Sequence, residues 1–518
     1  MATEIELKLL VTVRYLPSLR EALKQRVGGE KAKRRRLLSH YFDTSTFQLW
    51  KNQIALRVRR VDRRWVQTLK GGGRVHAGIH QRAEWETPVE ASRPDLDALT
   101  TAFPDDRELQ RLIKELPGQD DIQAIFSTDI HREAFILALS EGCEVEAAID
   151  EGEVVFGGQR KPISELEIEL KSGDNPVPIF DLARELLKVA PFTIGVVSKA
   201  ERGYSLARQD ANAVPRRAQS VSLDPSTTVE DAFVAIFSEC LGHLLENMDG
   251  FVAGPGVEYL HQMRVAIRRF RAALTLFGNV VPKSVLAGVA TNLQSAGRIL
   301  GEARNWDVLR DESLPAYAND AHVAFSAEFT NRVQRNARRA TANARRFVRT
   351  RRLTDLLLEI ASCILGRTWR HTITETTFTA LAEPVAAPAR SAINKRWRQL
   401  KKCVVAVQPE NPATLHAVRI AAKKLRYSMQ FFASLFPKKS VQSHLQQLAD
   451  IQGLLGRLND FAIADKLLME AMADSPALMA EVVAMRVWCE AQGRSDQRQF
   501  METWERFAKR SSHDKKII

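Results

Sequence analysis

The chain opens MATEIELKLL, where Glu4, Glu6 and Lys8 occupy alternate positions with Ile5 and Leu7 between them. Side chains alternate across a strand, so this spacing puts the three charges on one face and the apolar residues on the other. One such strand is an ordinary half-wet surface strand. The pattern constrains the fold because it returns. Arg57 and Arg59 share a face in IALRVRRV (54–61), Lys70 ends a strand at the glycines of RWVQTLKGGG (64–73), and Arg82, Glu84 and Glu86 alternate in HQRAEWETPV (80–89). SELEIELKSG (164–173) places Glu165, Glu167, Glu169 and Lys171 together, and EAAIDEGEV (146–154) supplies Asp150. An open sandwich has no need of such ordered charge on its wet side. A closed antiparallel barrel accommodates it, with a polar, ligand-holding bore and an apolar outer face covered by helices. Carboxylates and ammonium groups inside such a bore need a metal and an anion to balance them.

The chain changes character near residue 210, from short alternating runs to long stretches of helical period. The join, QDANAVPRRAQSVSLDPS (209–226), is polar and contains proline. Thr227 followed by Glu230 has capping-box spacing ahead of Phe233, Ile236, Phe237 and Leu241, which marks a helix start. Over 518 residues, Lys and Arg (75) exceed Asp and Glu (62), giving +13 and a pI near 9.6, so polyanionic partners are expected. The five cysteines, at 143, 240, 363, 403 and 489, have neither pairing nor metal-ligand spacing, which fits reduced, buried thiols. The N-terminus is acidic where a signal peptide is basic, and the longest apolar run, LLLEIASCIL (356–365), is interrupted by Glu359 and too short to span a bilayer. A cytoplasmic protein with no membrane partner is expected.

EIELK, RVRR, the TLK strand, RAEWE, ELEIEL and Lys199 in VSKAERGY occur in this order over about residues 1–205. The set resembles a CYTH domain, the tunnel fold of triphosphate-processing enzymes. The resemblance implies an eight-stranded tunnel with Glu4, Glu6, Asp150, Glu167 and Glu169 as the acidic metal set, and Lys8, Arg57, Arg59, Lys70, Arg132 and Lys199 as the phosphate set. The chemistry agrees with that division. Guanidinium forks and ammonium charges match a triphosphate, while Mg²⁺ or Mn²⁺ prefers carboxylate oxygen and water. The metal would neutralise oxygens that gain charge in phosphoryl transfer, and a second ion could acidify the attacking water. Arg132 or Arg82 taken singly reads as a surface strand cation; only the ensemble places them in a bore. Members of this family include adenylyl cyclases, thiamine triphosphatases and inorganic triphosphatases. Trp50, Trp65 and Trp85 are the candidates for ring recognition, or else packing residues of the barrel exterior.

The second half contains a repeat. HQMRVAIRRFRAAL (261–274) aligns with HAVRIAAKKLRYSM (416–429), and ILGEARNWD (299–307) with LLGRLNDFA (454–462), both at an offset of 155 residues. His261, Arg264, Arg268, Arg269 and Arg271 thus match His416, Arg419, Lys423, Lys424 and Arg426. On a helix, His261, Arg264, Arg268 and Arg271 fall in one quadrant, and Met263, Ile267, Phe270 and Leu274 in the next. The apolar stripe reads as core. A basic stripe alone reads as a solvated face, but a histidine heads both copies. The arrangement resembles a CHAD domain over about residues 225–510. That implies two pseudo-symmetric four-helix bundles with a basic groove for inorganic polyphosphate, formed by the ten residues above, and no catalysis. The copies differ where Asn459–Asp460 stand opposite Arg304–Asn305, so unequal contributions are expected. NRVQRNARRATANARRFVRTRR (331–352) carries nine arginines and no acid, as a solvated helix or a phosphate-facing one. SPALMAEVVAMRVWCEAQGR (475–494) reads as the closing bundle helix.

The expected organisation is an α+β chain: a barrel domain over 1–205, a linker over 206–224, an all-α domain over 225–510 and a disordered tail over 511–518. The order resembles bacterial inorganic triphosphatases. The leading expectation is Mg²⁺- or Mn²⁺-dependent hydrolysis of inorganic triphosphate beside a polyphosphate-binding module, with association to polyphosphate granules as an option. Adenylyl cyclase or thiamine triphosphatase activity is the alternative within enzymes, and a non-catalytic polyphosphate-binding protein is the alternative outside them. Nucleic acid is disfavoured, because the basic stripes carry no obvious stacking aromatics or base-reading motif.

Overall fold

The computed structural model describes residues 2–27, 32–116, 118, 121–139, 142–209, 214–254, 256–278, 281, 283–408, 411–472 and 475–513. The chain divides into two units, residues 1–215 with 349–368, and residues 216–348 with 369–518.

In the first unit the alternating segments form strands β1 (Ala2–Val11), β2 (Lys33–Asp43), β3 (Ala55–Val61), β4 (Arg64–His76), β5 (Ile79–Val89), β6 (Gln123–Ala138), β7 (Glu144–Phe156) and β8 (Gln159–Ser172), with a short β9 (Phe192–Ile194). They pair antiparallel in the order β5-β4-β3-β2-β6-β7-β8-β1, and β1 pairs β5 to close the barrel. Register fixes what faces inward. Glu6 lies opposite Glu169, Lys8 opposite Glu167, Arg132 opposite Asp150, and Lys70 opposite Glu84. Leu7, Leu9, Leu56, Val58, Leu69 and Trp85 point outward and are buried. Helix α1 (Leu16–Arg26) buries Leu16, Leu19 and Leu23, and α2 (Val177–Val189) packs beside it with Ile179, Phe180, Ala183 and Leu186. Short helices Leu96–Ala102 and Arg107–Glu115 cover the Trp85 side, where the indole Nε1–H donates to Asp106 at 2.8 Å.

One end of the bore is plugged. Helix α3 (Lys199–Ala207) turns Tyr204 onto Tyr41 and Phe126, with Leu37, Ile130, Val154 and Ile163 completing an apolar cluster. The Ser198–Glu201 capping box fixes the start of α3. Gly195 lets the preceding turn close on β1, since a Cβ there would meet Leu10 at 2.8 Å. The three tryptophans are packing residues: Trp85 and Trp65 belong to the outer cluster, and Trp50 packs by Tyr204 under the Arg208 guanidinium.

The second unit holds the duplicated helices. The first copy is α4 (Val229–Ala253), α5 (Val257–Phe277), α6 (Lys283–Val308) and α7 (Ala327–Val348); the second is α8 (Ala386–Val405), α9 (Pro412–Phe431), α10 (Lys438–Met472) and α11 (Met479–His513). Within each copy, sequential helices pack on each other, and α5 packs on α9 across the pseudo-twofold axis. The stripe expected to be core is core: Met263, Ile267, Phe270 and Leu274 are all buried.

Three boundaries differ from expectation. The N-cap of α4 is Thr228, whose hydroxyl accepts from Asp231 N, while Glu230 is buried against Trp369 and Arg370. The segment 216–224 is not a free linker but part of the second unit: Gln219 N–H donates to Glu239 at 2.7 Å, and Val221 and Leu223 are buried. The helix Arg351–Gly366, which includes the apolar run 356–365, belongs to the first unit; it packs on α2, with Arg184 paired to Asp355 at 2.8 Å. Of the expected tail, 511–513 extend α11, and 514–518 lie outside the described residues. Among the described residues no helix is long and apolar enough to cross a membrane.

The plug yields a test. A Cβ on Gly203 would meet the Phe126 ring at 1.9 Å, and that ring is held against Tyr41 at a centroid distance of 4.6 Å. Gly203→Ala should therefore destabilise the first unit by roughly 1–3 kcal/mol through overpacking. A wild-type urea midpoint for this variant would show that the plug repacks freely.

Candidate functional site

Building the bore from its plugged end outward, Lys199 enters first, carried by the N-terminus of α3. Its Nζ lies 2.6 Å from Glu165, 2.6 Å from Glu167 and 2.7 Å from Asp150. Lys8 reaches the same cluster from β1, contacting Glu167, Glu6 at 2.8 Å and Glu165 at 3.5 Å. Arg132 forks onto Asp150 at 2.8 and 2.6 Å and also contacts Glu167. Burial opposes every one of these charges, and opposite charges overcome it. Lys8 is held well above the ordinary lysine value by Glu165, Glu167 and Glu6, and Glu167 well below the carboxylate range by Lys199, Lys8 and Arg132. Asp150 is likewise lowered, by Lys199 and Arg132, against its burial.

On the β3–β5 wall, Lys70 bridges Glu4 at 2.7 Å and Glu84 at 3.1 Å. Arg57 contacts Glu84 at 3.3 Å and Glu86 at 3.4 Å. Arg59 differs. Its Nε–H donates to Ser39 Oγ at 3.1 Å, but it makes no ion pair among the described residues. It is largely covered by protein, and that burial, with Arg57 and Arg132 nearby, pushes the guanidinium down to about 10. His80, on the same wall, is pushed down to about 4 by burial and by Lys8, and is neutral at pH 7.

Of the eleven bore residues expected from sequence, ten therefore lie on the inner face of the sheet and Lys199 reaches the bore from α3. They divide into two acidic groups. Asp150 and Glu167 join Glu165, a residue not assigned from sequence, in a triad whose oxygens lie within 4.8 Å of one another. Glu4, Glu6 and Glu169 form the other group: burial raises the Glu169 carboxyl, and Glu4 and Glu6 add to the rise while Lys171 opposes it. Glu165 was legible in the same alternating run as Glu167. It is fully buried, and although Lys199 and Arg202 (3.1 Å) pair with it by distance, neither carboxylate oxygen accepts a well-aligned hydrogen bond. Hard oxygen donors with unmet lone pairs, beside carboxylates that repel one another, fit a divalent cation such as Mg²⁺ or Mn²⁺.

In the second unit, the stripes of the two copies meet. Arg264 (α5) donates to Gly301 O at 2.9 Å and Asn305 Oδ1 at 3.3 Å. Arg268, Arg304, Arg419 and Lys423 surround it, with Asp460 nearby and Arg304 itself paired to Glu312 at 2.6 Å. Burial and these neighbours push Arg264 down to about 9, and burial with Arg268, Arg419 and Arg264 pushes Lys423 down to about 6. The Nε–H groups of Arg268 and Arg419 are buried without a partner. His261 borders this groove, its imidazole lowered by burial and by Arg304, whereas His416 is exposed.

Three of the expected groove residues depart from the stripe. Arg269 turns into the core of its own bundle, 2 % exposed and paired with Glu239 at 2.8 Å. It follows Arg268, and one residue rotates a helical side chain by about 100°. Lys424, its counterpart, faces Arg396 and Arg271, and Arg426 donates to Gln452 Oε1 at 3.0 Å. Arg304 and Asp460 are groove members the repeat alignment touched without assigning. Of the arginine-rich helix α7, Arg345 donates to Phe251 O at 3.1 Å and Arg335, Arg338, Arg339 and Arg346 are exposed, so this is a largely solvated face.

The CYTH domain matches residues 2–204 and the CHAD domain residues 235–469. The chain is 34% identical over 167 residues to the inorganic triphosphatase of Haemophilus influenzae, a stretch that covers 32% of this chain and 44%, less than half, of that protein. It is 25% identical over 505 residues to an uncharacterized protein of Mycobacterium tuberculosis, covering 92% of this chain and 90% of that one. The crystal structure of the CHAD domain from the plant Ricinus communis aligns with 57% of this chain and 97% of its own length, at 30% identity and a TM-score of 0.50. The chain thus belongs to the CHAD domain family through its duplicated helices and carries a CYTH domain as its charged barrel.

Proposed function

We propose that the barrel hydrolyses inorganic triphosphate with the help of Mg²⁺ or Mn²⁺, and that the helical unit binds inorganic polyphosphate without catalysis. The observation that carries the first part is Arg59, a guanidinium in an enclosed bore with no ion pair among the described residues and repelled by Arg57 and Arg132. A buried cation without a counter-charge is costly, and an anion at that position removes the cost. The similarity to an inorganic triphosphatase over the barrel supports triphosphate as that anion. The outward packing of Trp65 and Trp85 supports a substrate without a ring to stack.

Within the bore, Lys8, Lys70, Arg57, Arg132 and Lys199 are paired with carboxylates. Phosphate oxygens would draw these donors away, leaving Glu4, Glu6, Asp150, Glu165, Glu167 and Glu169 to hold the metal. A divalent ion so held supplies charge for the phosphate oxygens and acidifies water. Arg57, Arg59 and Lys70 orient the triphosphate from the β3–β4 wall, and Lys8, Arg132 and Lys199 grip it from the plugged end, excluding water other than the attacking one. Phosphate release from inorganic triphosphate, ATP and thiamine triphosphate, each with and without Mg²⁺ and Mn²⁺, tests the reading. Equal turnover of all three, or none of inorganic triphosphate, would overturn it.

Glu6→Gln keeps the shape of a bore ligand and removes its charge. Turnover at limiting Mg²⁺ should fall by roughly a hundredfold while the melting temperature stays near wild type. Wild-type turnover would reduce Glu6 to a structural partner of Lys8.

Arg59→Ala should lower kcat/KM by about 10²–10³, the usual loss when a donor to the transition state is removed. Because it relieves repulsion with Arg57 and Arg132, it should leave stability equal or higher. Exposed Arg64→Ala is the control, and an equal loss in both would mean diffuse electrostatics and no positioned site.

Polyphosphate binding rests on the unpaired donors of Arg268 and Arg419 and on the depressed Lys423 ammonium. Between about pH 6 and its ordinary value the folded groove lacks a proton that the unfolded chain binds, so the ligand-free fold gains stability as pH rises through this window. A polyanion favours the charged form, so binding takes up a proton, and affinity should rise as pH falls toward about 6, by up to roughly tenfold per pH unit. Lys423→Met should flatten that dependence above pH 6, with Asp460 and His261 left unchanged. A pH profile identical to wild type would remove Lys423 from the site.

A further inference from the structure

The two copies of the helical unit are not electrostatically equivalent, and the difference is concentrated at one position. Helix α8 repeats α4 at an offset of 157 residues: buried Ala389, Ile393, Trp397, Leu400 and Val404 stand where Ala232, Ile236, Cys240, His243 and Asn247 are buried. The same offset places Arg396 where the first copy has Glu239. At the 155-residue offset of the next helix, Lys424 stands where the first copy has Arg269. In the first copy these positions form a buried ion pair, Arg269 to Glu239 at 2.8 Å. In the second they are two cations. They face each other as the symmetry requires: burial lowers the Lys424 ammonium, and Arg396 and Arg271 lower it further. Arg396 is half-buried, and its guanidinium donates to Thr275 O at 3.2 Å, which pins it beside the end of α5. None of the three cations has an acidic partner among the described residues.

We propose that Arg271, Arg396 and Lys424, from α5, α8 and α9, form a second phosphoryl-binding site that exists because the acid of the first copy has been replaced. A group of like charges of which two, Arg396 and Lys424, are half-buried is stable only with a counter-charge or at a cost to the fold, and a tetrahedral dianion offers acceptors to two guanidinium groups and an ammonium together. Arg271 lies seven residues beyond Arg264 on the same face of α5, about 10 Å along the axis at 1.5 Å per residue. The site therefore continues the groove, and one polyphosphate chain can occupy both. That last step rests on the polyphosphate reading above; the site itself requires only a phosphoryl anion, free or chain-borne.

The full-length protein tests it with Arg396→Glu, which rebuilds in the second copy the ion pair of the first and should melt no lower than wild type. Orthophosphate should raise the melting temperature of the groove variant Arg268→Glu/Arg419→Glu, and adding Arg396→Glu or Arg396→Gln should abolish that rise. Long-chain polyphosphate should bind Arg396→Glu roughly tenfold more weakly than wild type, with the slope of log K against log salt reduced by about one to two. Chains too short to extend beyond the groove should bind it as they bind wild type, which separates the chain-borne source from the free one. An unchanged orthophosphate response in both Arg396 variants overturns the site. Wild-type polyphosphate binding by the groove variant overturns the groove reading instead, and the orthophosphate arm still decides this site.

Discussion

The barrel depends on charge neutrality inside a closed sheet. Once β1 pairs both β5 and β8, the alternate residues of eight strands point into a space too small to hydrate them freely, and each charge there needs an opposite one within contact distance. Lys8 and Lys199 answer that demand for Glu165, Glu167 and Asp150, which explains why α3 must carry a lysine into the bore at its first residue. Remove the lysine and three buried carboxylates face one another. The same interlock keeps the cations in place but committed to protein partners, so any anion entering the bore would have to exchange with carboxylates. Arg59 is the exception, a bore cation without an ion pair among the described residues.

How far this was legible in the sequence follows from the periodicities. A period of two is exact in a strand, so the alternating runs fixed which face each bore residue shares, and the barrel followed from having too many charged faces for any open sheet. Glu165 was visible in ELEIEL yet unassigned, because a run of three glutamates gives no sign of which one lies deepest. That depth depends on the pairing register with β7 and on α3, neither of which one strand encodes. Helical period is less exact. Arg268 and Arg269 are adjacent in sequence and lie on different faces of α5, one in the groove and one in the core. Adjacency in the sequence hides the rotation that leaves Arg268 on the groove face and turns Arg269 to Glu239.

Composition misled in one further respect. The helix Arg351–Gly366 has the apolar content of a bundle helix and sits between two copies of a bundle, but its buried residues pack against α2 of the first unit. An apolar face specifies that a helix must be covered, and says nothing about what covers it. Only the polar pairs at its rim, Arg184 with Asp355 and Thr354 with Phe192 O, distinguish one cover from another, and such pairs are not readable before the fold is known. A truncation at residue 220 would accordingly leave this helix without the surface it packs on.

The duplicated unit shows how a symmetric scaffold acquires an asymmetric surface. Its core positions are constrained in both copies by the same packing, so they change little in character. Polar positions near the rim are constrained only as pairs. When Glu239 has Arg396 as its counterpart, the partner position keeps its positive charge as Lys424, and the unit trades a stabilising ion pair for a concentration of cations. A similar exchange at the groove sets Asp460 opposite Asn305, so the second copy brings an acid to the shared axis where the first copy has an amide. The two exchanges have opposite signs. One makes the second copy more positive beside α8, the other less positive at the shared axis, and a chain of phosphates lying across both would therefore meet a field that increases away from the pseudo-twofold axis and toward Arg271.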